Sequence, residues 1–398
     1  MAKAGEEVVI VAGARTGIGT FSGQFAEVPA AELGAVAIKA ALARAGLEGS
    51  QIEGVVMGCV GQIGRDAYVS RAAAIYAGLP IEVPAYTVNR LCGSGVQAIN
   101  NAAQEIATGN ADIMIAGGNE NMTRYPYLLE KARSGYRMGD AAMLDSLTTV
   151  LSDPFTSCHM GITAENLAEK YNISREDSDA FALRSQQLSD AAIKAGYFKE
   201  QITPVAVSQK KGEALQIVTD EHPRPQTTLE GLAKLKPAFK SNGIVTAGNA
   251  SGINDAGAAV VLMSAAKAQE LQVKPRLRIV AQAVAGVQPE IMGIGPVPAV
   301  KKALAKAGMK LEQIDLIELN EAFATQVIAC MRELDMDETK VNVNGGAVAL
   351  GHPIGATGTI LTVKIMYELE RRGLRYGLVT ACIGGGQGIA TIFENLSM

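Results

Sequence analysis

The sequence predicts an α/β fold built from two copies of one unit, with a long segment inserted between them. Three observations carry this. Short apolar runs that suit buried strands alternate with longer amphipathic runs that suit helices, the pattern of strand–helix–strand units. Residues 37–55 (AIKAALARAGLEGSQIEGV) align without gaps on residues 299–317 (AVKKALAKAGMKLEQIDLI), with nine of 19 positions identical. A repeat of that kind marks a duplication. Between the copies, from Asn121 to about Asn249, the chain is polar and broken by Pro204, Pro223, Pro225 and Pro237.

Taken in order, Glu7 to Ala12 reads as the first strand. Gly13 to Gly19 then forms a GxxxGxG run, as in dinucleotide-binding loops, and Tyr127 to Lys131 supplies a YxxxK pair. Together these suggest a short-chain dehydrogenase, but the context is against it. A helix should open at the last glycine so that its N-terminus meets a pyrophosphate. Here Thr20, Phe21, Ser22, Gly23 and Pro29 intervene, and the helix begins only near Ala30. That helix runs from Ala31 to Ala45 with Gly46 as its cap, and Ile52 to Met57 is the next strand. Ala85 to Val88 follows as a short strand, then a turn with Cys92, Gly93, Ser94 and Gly95, then a helix from Val96 to Ile106. Asp112 to Ala116 is a further strand.

The inserted segment holds helices near Thr163–Tyr171 and Ser174–Ala195, the second opened by the capping box Ser174-Arg175-Glu176-Asp177. Insertions of this length are commonly lids or binding loops. Ala258 to Met263 closes the first copy as a strand. In the second copy, Val341 to Asn344, a glycine loop, the helix Thr357–Arg372 and the strand Tyr376–Thr380 echo the strand, turn, helix and strand around Cys92.

Composition excludes several classes. The chain is 48% hydrophobic and 19% charged, ordinary for a globular protein. A net charge of −4, with no Lys/Arg run longer than two, argues against a general nucleic-acid binder. No apolar run approaches the roughly 18 residues of a membrane span. The opening MAKAGEEVVI lacks the apolar segment of a secretory signal. Five cysteines, an odd and scattered set, argue against a disulfide framework and for a reducing cytoplasm. No metal-ligand spacing occurs.

The reactive residues sit in glycine turns. Cys92 lies where a strand turns sharply into a helix and is expected in the first helical turn. Unpaired N–H groups and the helix dipole there favour a thiolate. The arrangement follows the nucleophile-elbow logic of serine hydrolases, with sulfur in place of oxygen. The second copy carries Asn320-Glu321-Ala322-Phe323, then Gly351-His352-Pro353-Ile354-Gly355-Ala356-Thr357-Gly358, then Cys382-Ile383-Gly384-Gly385-Gly386-Gln387-Gly388. A Cys, a His and a second Cys, each in its own glycine turn, are hard to explain as packing. Cys59 and Cys330 read as structural. Cys158 adjoins His159 and is not expected to face the same site, and His222, in a Pro-rich loop, is expected to be exposed.

At these motifs the sequence resembles the thiolases along essentially its whole length. NRLCGSG around Cys92, His159-Met160-Gly161, GNASGIND at Gly248–Asp255, NEAF, GHPIGATG and CIGGGQG all match that family. It is most similar to the biosynthetic acetyl-CoA acetyltransferases and bacterial β-ketothiolases. Gly64–Tyr68 and Met292–Pro296 look like the enzymes that supply polyhydroxyalkanoate synthesis. The resemblance implies a layered αβαβα core from two halves, residues 1–120 plus 250–272 and residues 273–398, with an inserted loop domain at 121–249.

It also implies roles. Cys92 would take an acyl group as a thioester, His352 would accept its proton, and Cys382 would move the α-proton. A free thiol titrates near ~8.5, close enough to neutrality for that shuttle. Asn320, through a water, and His352 would stabilise an enolate. The N–H groups of Cys92 and Gly384 would hold a tetrahedral oxyanion. Ala247 and Ser251 would line a pantetheine tunnel with Met160, Phe239, Ala322 and Phe323 as its apolar wall. His159 would reach the acyl pocket, and Arg224 would lie near the adenine and phosphates. Coenzyme A thioesters would be substrates, with no permanently bound cofactor, and the protein would be a homotetramer tied by the exposed Arg133–Gly139 stretch. A ketoacyl synthase would carry another His or Asn in place of Cys382. A non-catalytic scaffold would have lost one of the three reactive residues.

Overall fold

The structure, a computed structural model, describes residues 6–398. The strands of its main sheet are β1 (Val8–Arg15), β2 (Gly19–Thr20), β3 (Gly54–Gly58), β4 (Ala85–Val88), β5 (Ile113–Asn121), β6 (Asn254–Ser264), β7 (Leu277–Gly286), β8 (Leu316–Leu319), β9 (Tyr376–Ile383) and β10 (Gln387–Asn395). They form one ladder in the order β8-β9-β10-β7-β1-β6-β5-β3-β4, with β2 paired to β6. The seam between β7 and β1 holds only two residue pairs, Val9 with Arg278 and Ile10 with Leu277. On each side of it lies the same arrangement, antiparallel next to the seam and parallel at the outer edge.

Side-chain alternation builds the layers. Along β6, Val261 and Met263 face α1 (Ala30–Ala45) and α2 (Val69–Tyr76), whereas Val260 and Leu262 face the opposite way. Period-two patterning on strands buried on both faces requires cover on both. The inner cover is a pair of central helices, α3 (Ser94–Ala107) and α8 (Ile354–Arg372), packed together with Val96, Ile99, Ile106, Val363 and Leu369 in one core. Beyond the second sheet half lie α6 (Pro296–Ala307) and α7 (Ala324–Leu334). The sequence of layers is helix, sheet, helix, sheet, helix. α8 is buried almost all round, as its apolar sequence requires, and its buried Lys364 ammonium is matched by Glu318 at 2.8 Å.

The repeat seen in the sequence is a repeat in space. Gly46 and Gly308 end α1 and α6 in the left-handed conformation, at φ 66° and 63°. In the following turns Glu48 N–H donates to Gln51 Oε1, and Lys310 N–H to Gln313 Oε1, both at 2.8 Å. The shared glutamine is therefore a turn-closing acceptor in each copy. α4 (Met160–Lys170) and α5 (Arg175–Ala195) belong to the inserted segment, and Ser174 and Asp177 make the expected capping box. The stretch Arg133–Gly139 is exposed throughout.

Two expectations need correction. Val341 to Asn344 is not a strand, since Val341 makes a single bridge to Ile317 and Asn342 turns away at φ 47°. Cys92 is not inside the first helical turn, because α3 opens at Ser94 with Gly93 as its cap. The Gly13–Gly19 run is confirmed as no phosphate loop. A Cβ at Gly17 would stand 2.3 Å from the Thr219 carbonyl oxygen. The N–H groups of Ile18 and Thr20 already donate to Asp220 and Glu221, at 2.9 and 2.8 Å.

Candidate active site

The two central helices start at the same cavity, about 460 Å³ in volume, and each presents a reactive residue two positions ahead of its first residue. These are Cys92 before Ser94 and His352 before Ile354. Ahead of Cys92 the chain turns tightly. Leu91 is left-handed at φ 45°, a conformation a branched side chain rarely adopts. Ser94 Oγ locks the turn, accepting from Arg90 N–H at 2.9 Å and donating to the Leu91 carbonyl at 2.7 Å.

His352 is held on three sides. Asn254 Oδ1 accepts its backbone N–H at 2.9 Å. Thr357 Oγ1 lies 2.7 Å from Nδ1, and Asn320 Nδ2 lies 3.4 Å from Nε2. The Asn320 Oδ1 atom is buried with no hydrogen-bond partner among the described residues. One turn further, Gly355 N–H donates to Glu120 Oε2 at 2.8 Å. Glu120 is a buried carboxylate on β5 that also accepts from Val60, Gly61, Tyr125 and Cys59. It is a clamp that pins the His352 loop of one half to the Cys92 half.

Cys382 ends β9 just outside the cavity wall, fully buried, in one cluster with Met160, Ala250, Met292, Ala322 and Phe323. It is close enough to Cys92 for that sulfur to hinder its ionisation. The hairpin after it closes through Gly384, Gly385 and Gly386, the last two at φ 77° and 84°, which only glycine adopts without strain. This bend brings the Gly384 N–H near enough to the Cys92 sulfur to favour its thiolate.

Electrostatics correct one expectation. Burial pushes the Cys92 thiol up to about 11, only partly offset by the Gly384 and Cys92 N–H groups. Burial pushes His352 down to about 4. The resting pair is a thiol and a neutral imidazole, not a thiolate poised by the helix dipole. Cys382 is raised well above its ordinary value, first by burial and then by Cys92. It is not a near-neutral thiol. Desolvation outweighs the dipole because both groups sit among apolar side chains.

The remaining candidates divide. Cys92, His352, Gly384, His159 and Met160 line the cavity, as do Phe239, Ala247, Ser251, Ala322 and Phe323. His159 caps α4, its Nδ1 accepting from Gly161 N–H at 3.1 Å, so its Nε2 carries the proton. Its ring stacks on Phe239 at 4.7 Å, and Phe239 meets Phe323 edge-on at 6.2 Å. Arg224 is exposed and does not line the cavity; its guanidinium donates to the carbonyls of Glu221 and Pro223, and its backbone N–H donates to Gln186 Oε1 at 2.8 Å. His222 is not exposed as expected. It lines the cavity, packs against Gly252, and burial followed by Arg224 lowers it to about 4. Cys59 and Cys330 are buried and bonded to Glu120 and to the Gly293 carbonyl. Among the described residues no cluster of His, Cys, Asp or Glu could hold a metal ion, and no helix is long and apolar enough to cross a membrane.

A cysteine and a base lining one cavity, with a second cysteine buried just outside its wall, define a class. The chain belongs to the thiolase family: the thiolase N-terminal domain matches residues 8–266 and the thiolase C-terminal domain residues 273–395. Among its relatives, acetyl-CoA acetyltransferase of Pseudomonas aeruginosa is 55% identical over 386 residues, 97% of this chain and 98% of that one. Beta-ketothiolase BktB of Cupriavidus necator is 54% identical over 392 residues, covering 98% and 99%. In structure, the Bacillus anthracis acetyl-CoA acetyltransferase superposes with a TM-score of 0.98 at 47% identity, covering 99% of this chain and 100% of that chain. Human mitochondrial 3-ketoacyl-CoA thiolase in complex with CoA gives 0.95 at 46% identity, covering 98% of each chain.

Proposed function

We propose that this chain is an acetyl-CoA acyltransferase that condenses two acetyl-CoA into acetoacetyl-CoA and CoA, and runs the reverse thiolysis on short 3-ketoacyl-CoA. The observation that carries this reading is the meeting of Cys92 and His352 at one cavity, with Cys382 buried just outside its wall. In the first half-reaction His352 Nε2 takes the Cys92 proton as sulfur attacks the thioester carbonyl. The tetrahedral oxyanion faces the N–H groups of Cys92 and Gly384. Cys382 gives its proton to the leaving CoA sulfur, leaving acetyl-Cys92, an imidazolium and a Cys382 thiolate.

In the second half-reaction Cys382 removes an α-proton from the incoming acetyl-CoA. Its burial makes this thiolate a strong base, which a carbon acid requires. The His352 Nε2–H, beside Asn320, stabilises the enolate oxygen. The carbanion attacks acetyl-Cys92, and the departing Cys92 sulfur recovers its proton from His352. Protons balance over the cycle.

The inserted loop domain at 121–249 supplies the acyl-CoA channel, with Ala247, Ser251, His159, Met160, Phe239, Ala322 and Phe323 along it and Arg224 at its outer rim. The two flanking segments, 1–120 with 250–272 and 273–398, are the duplicated halves. The relatives' names and the CoA held by the human enzyme support this substrate class. We further read the protein as a cytoplasmic homotetramer. The outer edge of β4 has no strand partner among the described residues, and Arg133–Gly139 is exposed. Light scattering giving a monomer mass at micromolar concentration would overturn the assembly.

The chemistry is tested by incubating the protein with acetoacetyl-CoA. Intact-mass and peptide analysis should find one acetyl group, on Cys92. No adduct under turnover conditions excludes the two-step route.

A further inference from the structure

We infer that Thr357 is a positioning residue that fixes the tautomer of His352, keeping the bare lone pair on Nε2. This rests on the proposed role of His352 as the base for Cys92. Three contacts in a line point the same way. Thr357 Oγ1 lies 3.0 Å from the Pro353 carbonyl, which can only accept, so the hydroxyl proton is directed there. The same oxygen lies 2.7 Å from His352 Nδ1. With its one proton committed, it can only accept from Nδ1, so Nδ1 carries the hydrogen. On the far side of the ring an amide nitrogen, Asn320 Nδ2, approaches Nε2 at 3.4 Å. A donor there matches an unprotonated Nε2.

The chain of donors therefore runs from Asn320 through the imidazole to Thr357 and on to Pro353. Each group is buried, so no bulk water competes for these positions. The hydrogen bond on one imidazole nitrogen decides which state the other presents. With the ring turned to the other tautomer, Nε2 would carry a hydrogen and could not receive the Cys92 proton. The geometry also explains why a hydroxyl stands in the first turn of a helix that is otherwise apolar there. Thr357 has the one side-chain type that donates back to the Pro353 carbonyl and still offers a lone pair to the ring.

The test joins a direct readout of the tautomer to kinetics. The chain has only three histidines, His159, His222 and His352. Magic-angle-spinning ¹⁵N NMR of histidine-labelled protein therefore gives three pairs of ring-nitrogen signals, assigned with His159→Gln and His222→Gln. His352 should be protonated at Nδ1 in the wild type and in Thr357→Ser, and at Nε2 in Thr357→Val. Acetyl-CoA/CoA exchange and iodoacetamide alkylation of Cys92 should fall about 10- to 100-fold in Thr357→Val, the range lost when the outer partner of a metal-bound histidine is removed. Thr357→Ser should restore both to within a few-fold. A merely structural role would lower stability without moving the tautomer. An Nε2–H signal in the wild type overturns the inference, as does a Val variant that keeps both tautomer and rate. The wild-type spectrum decides the matter even if the Val variant does not fold. Failure of the wild type to exchange acetyl groups would sink the proposed function and leave the tautomer result standing.

Discussion

The starts of the two central helices are the same place in two copies of one unit, yet they differ in every residue that touches chemistry. One reads Cys92-Gly93-Ser94, the other His352-Pro353-Ile354. Each reactive side chain stands two residues ahead of its helix, where the positive end of the dipole lies. That end helps a sulfur bear negative charge and opposes an imidazolium. A duplicated scaffold therefore places a nucleophile on one junction and a neutral base on the other with the same backbone device. The accessory residues differ accordingly. Ser94 spends both hydrogen bonds on its own turn, whereas Thr357 turns one towards the histidine ring.

The largest expected effect breaks the first junction. Cys92→Ser should reduce both acetyl-CoA/CoA exchange and condensation to background, because no acyl-enzyme forms. Next is the sulfur that belongs to neither junction. Cys382→Ser should cut condensation by about 10²–10⁴-fold, the usual contribution of a general acid–base group. Exchange needs no carbon deprotonation and should keep much more of its rate. Equal losses in the two assays would show that Cys382 is required to form the acyl-enzyme and that the division of labour is wrong.

The second junction is sharpened by pH. His352 has its folded pKa lowered to about 4, against an ordinary value near 6.5. The unfolded chain binds the proton first as pH falls, so stability is intact above about 6.5 and declines from there down through 4. The expected loss from this group alone is on the order of 3 kcal/mol at pH 4. Thermal unfolding measured from pH 7.5 to 4.5 should therefore fall more steeply in the wild type than in His352→Gln. Parallel curves would mean that the imidazole is not buried neutral.

Much of this comparison was legible in the sequence because each half announces itself locally. The helix ends at Gly46 and Gly308, the capping box at Ser174 and the triple glycine after Cys382 are signals that short-range physics alone can read. The cavity lining from His159 to Phe323 followed from resemblance, since nothing in the spacing of Phe239 or Ala247 points to a channel. Three features were not legible, each for a reason of distance or solvation. His222 lies in a Pro-rich loop that reads as exposed, but its neighbours Asp220 and Glu221 bind backbone some 200 residues earlier and draw the loop inward. Glu120 reads as one more polar residue after a strand, although it caps a helix 235 positions away. The thiolate expected at Cys92 ignored burial, which is a property of the whole fold and not of the turn.

A smaller effect is expected where the junctions meet. A Cβ at Gly93 would lie 2.6 Å from Ile383 Cδ1 and 3.1 Å from its Cγ1. Ile383 follows Cys382, so Gly93→Ala should displace the proton-moving sulfur more than the nucleophile. Condensation should fall about 10- to 100-fold, since small misplacements of reacting groups are costly. Exchange should fall less, and the ratio of the two rates is the measurement that decides.

The smallest effect is expected at the matching position of the other copy, Pro353. Its φ of −70° lies where the pyrrolidine ring sets it, and a proline leads into a helix without loss because the first N–H groups have no helical partner. Its carbonyl, not its ring, carries the specific work, accepting from Thr357 Oγ1 and from the Ala356 and Thr357 N–H groups. Alanine keeps that carbonyl and can adopt the same backbone angles. Pro353→Ala should therefore act through the unfolded chain, which gains conformational freedom, and lower stability by about 0.4–1 kcal/mol. Exchange and condensation should stay within about two- to threefold of wild type, which corresponds to less than ~1 kcal/mol in the barrier. A loss of activity far beyond that, at unchanged stability, would show that the ring itself braces His352. The two junctions would then differ in rigidity as well as in chemistry, with glycine leaving room for Ile383 on one side and proline stiffening the base on the other.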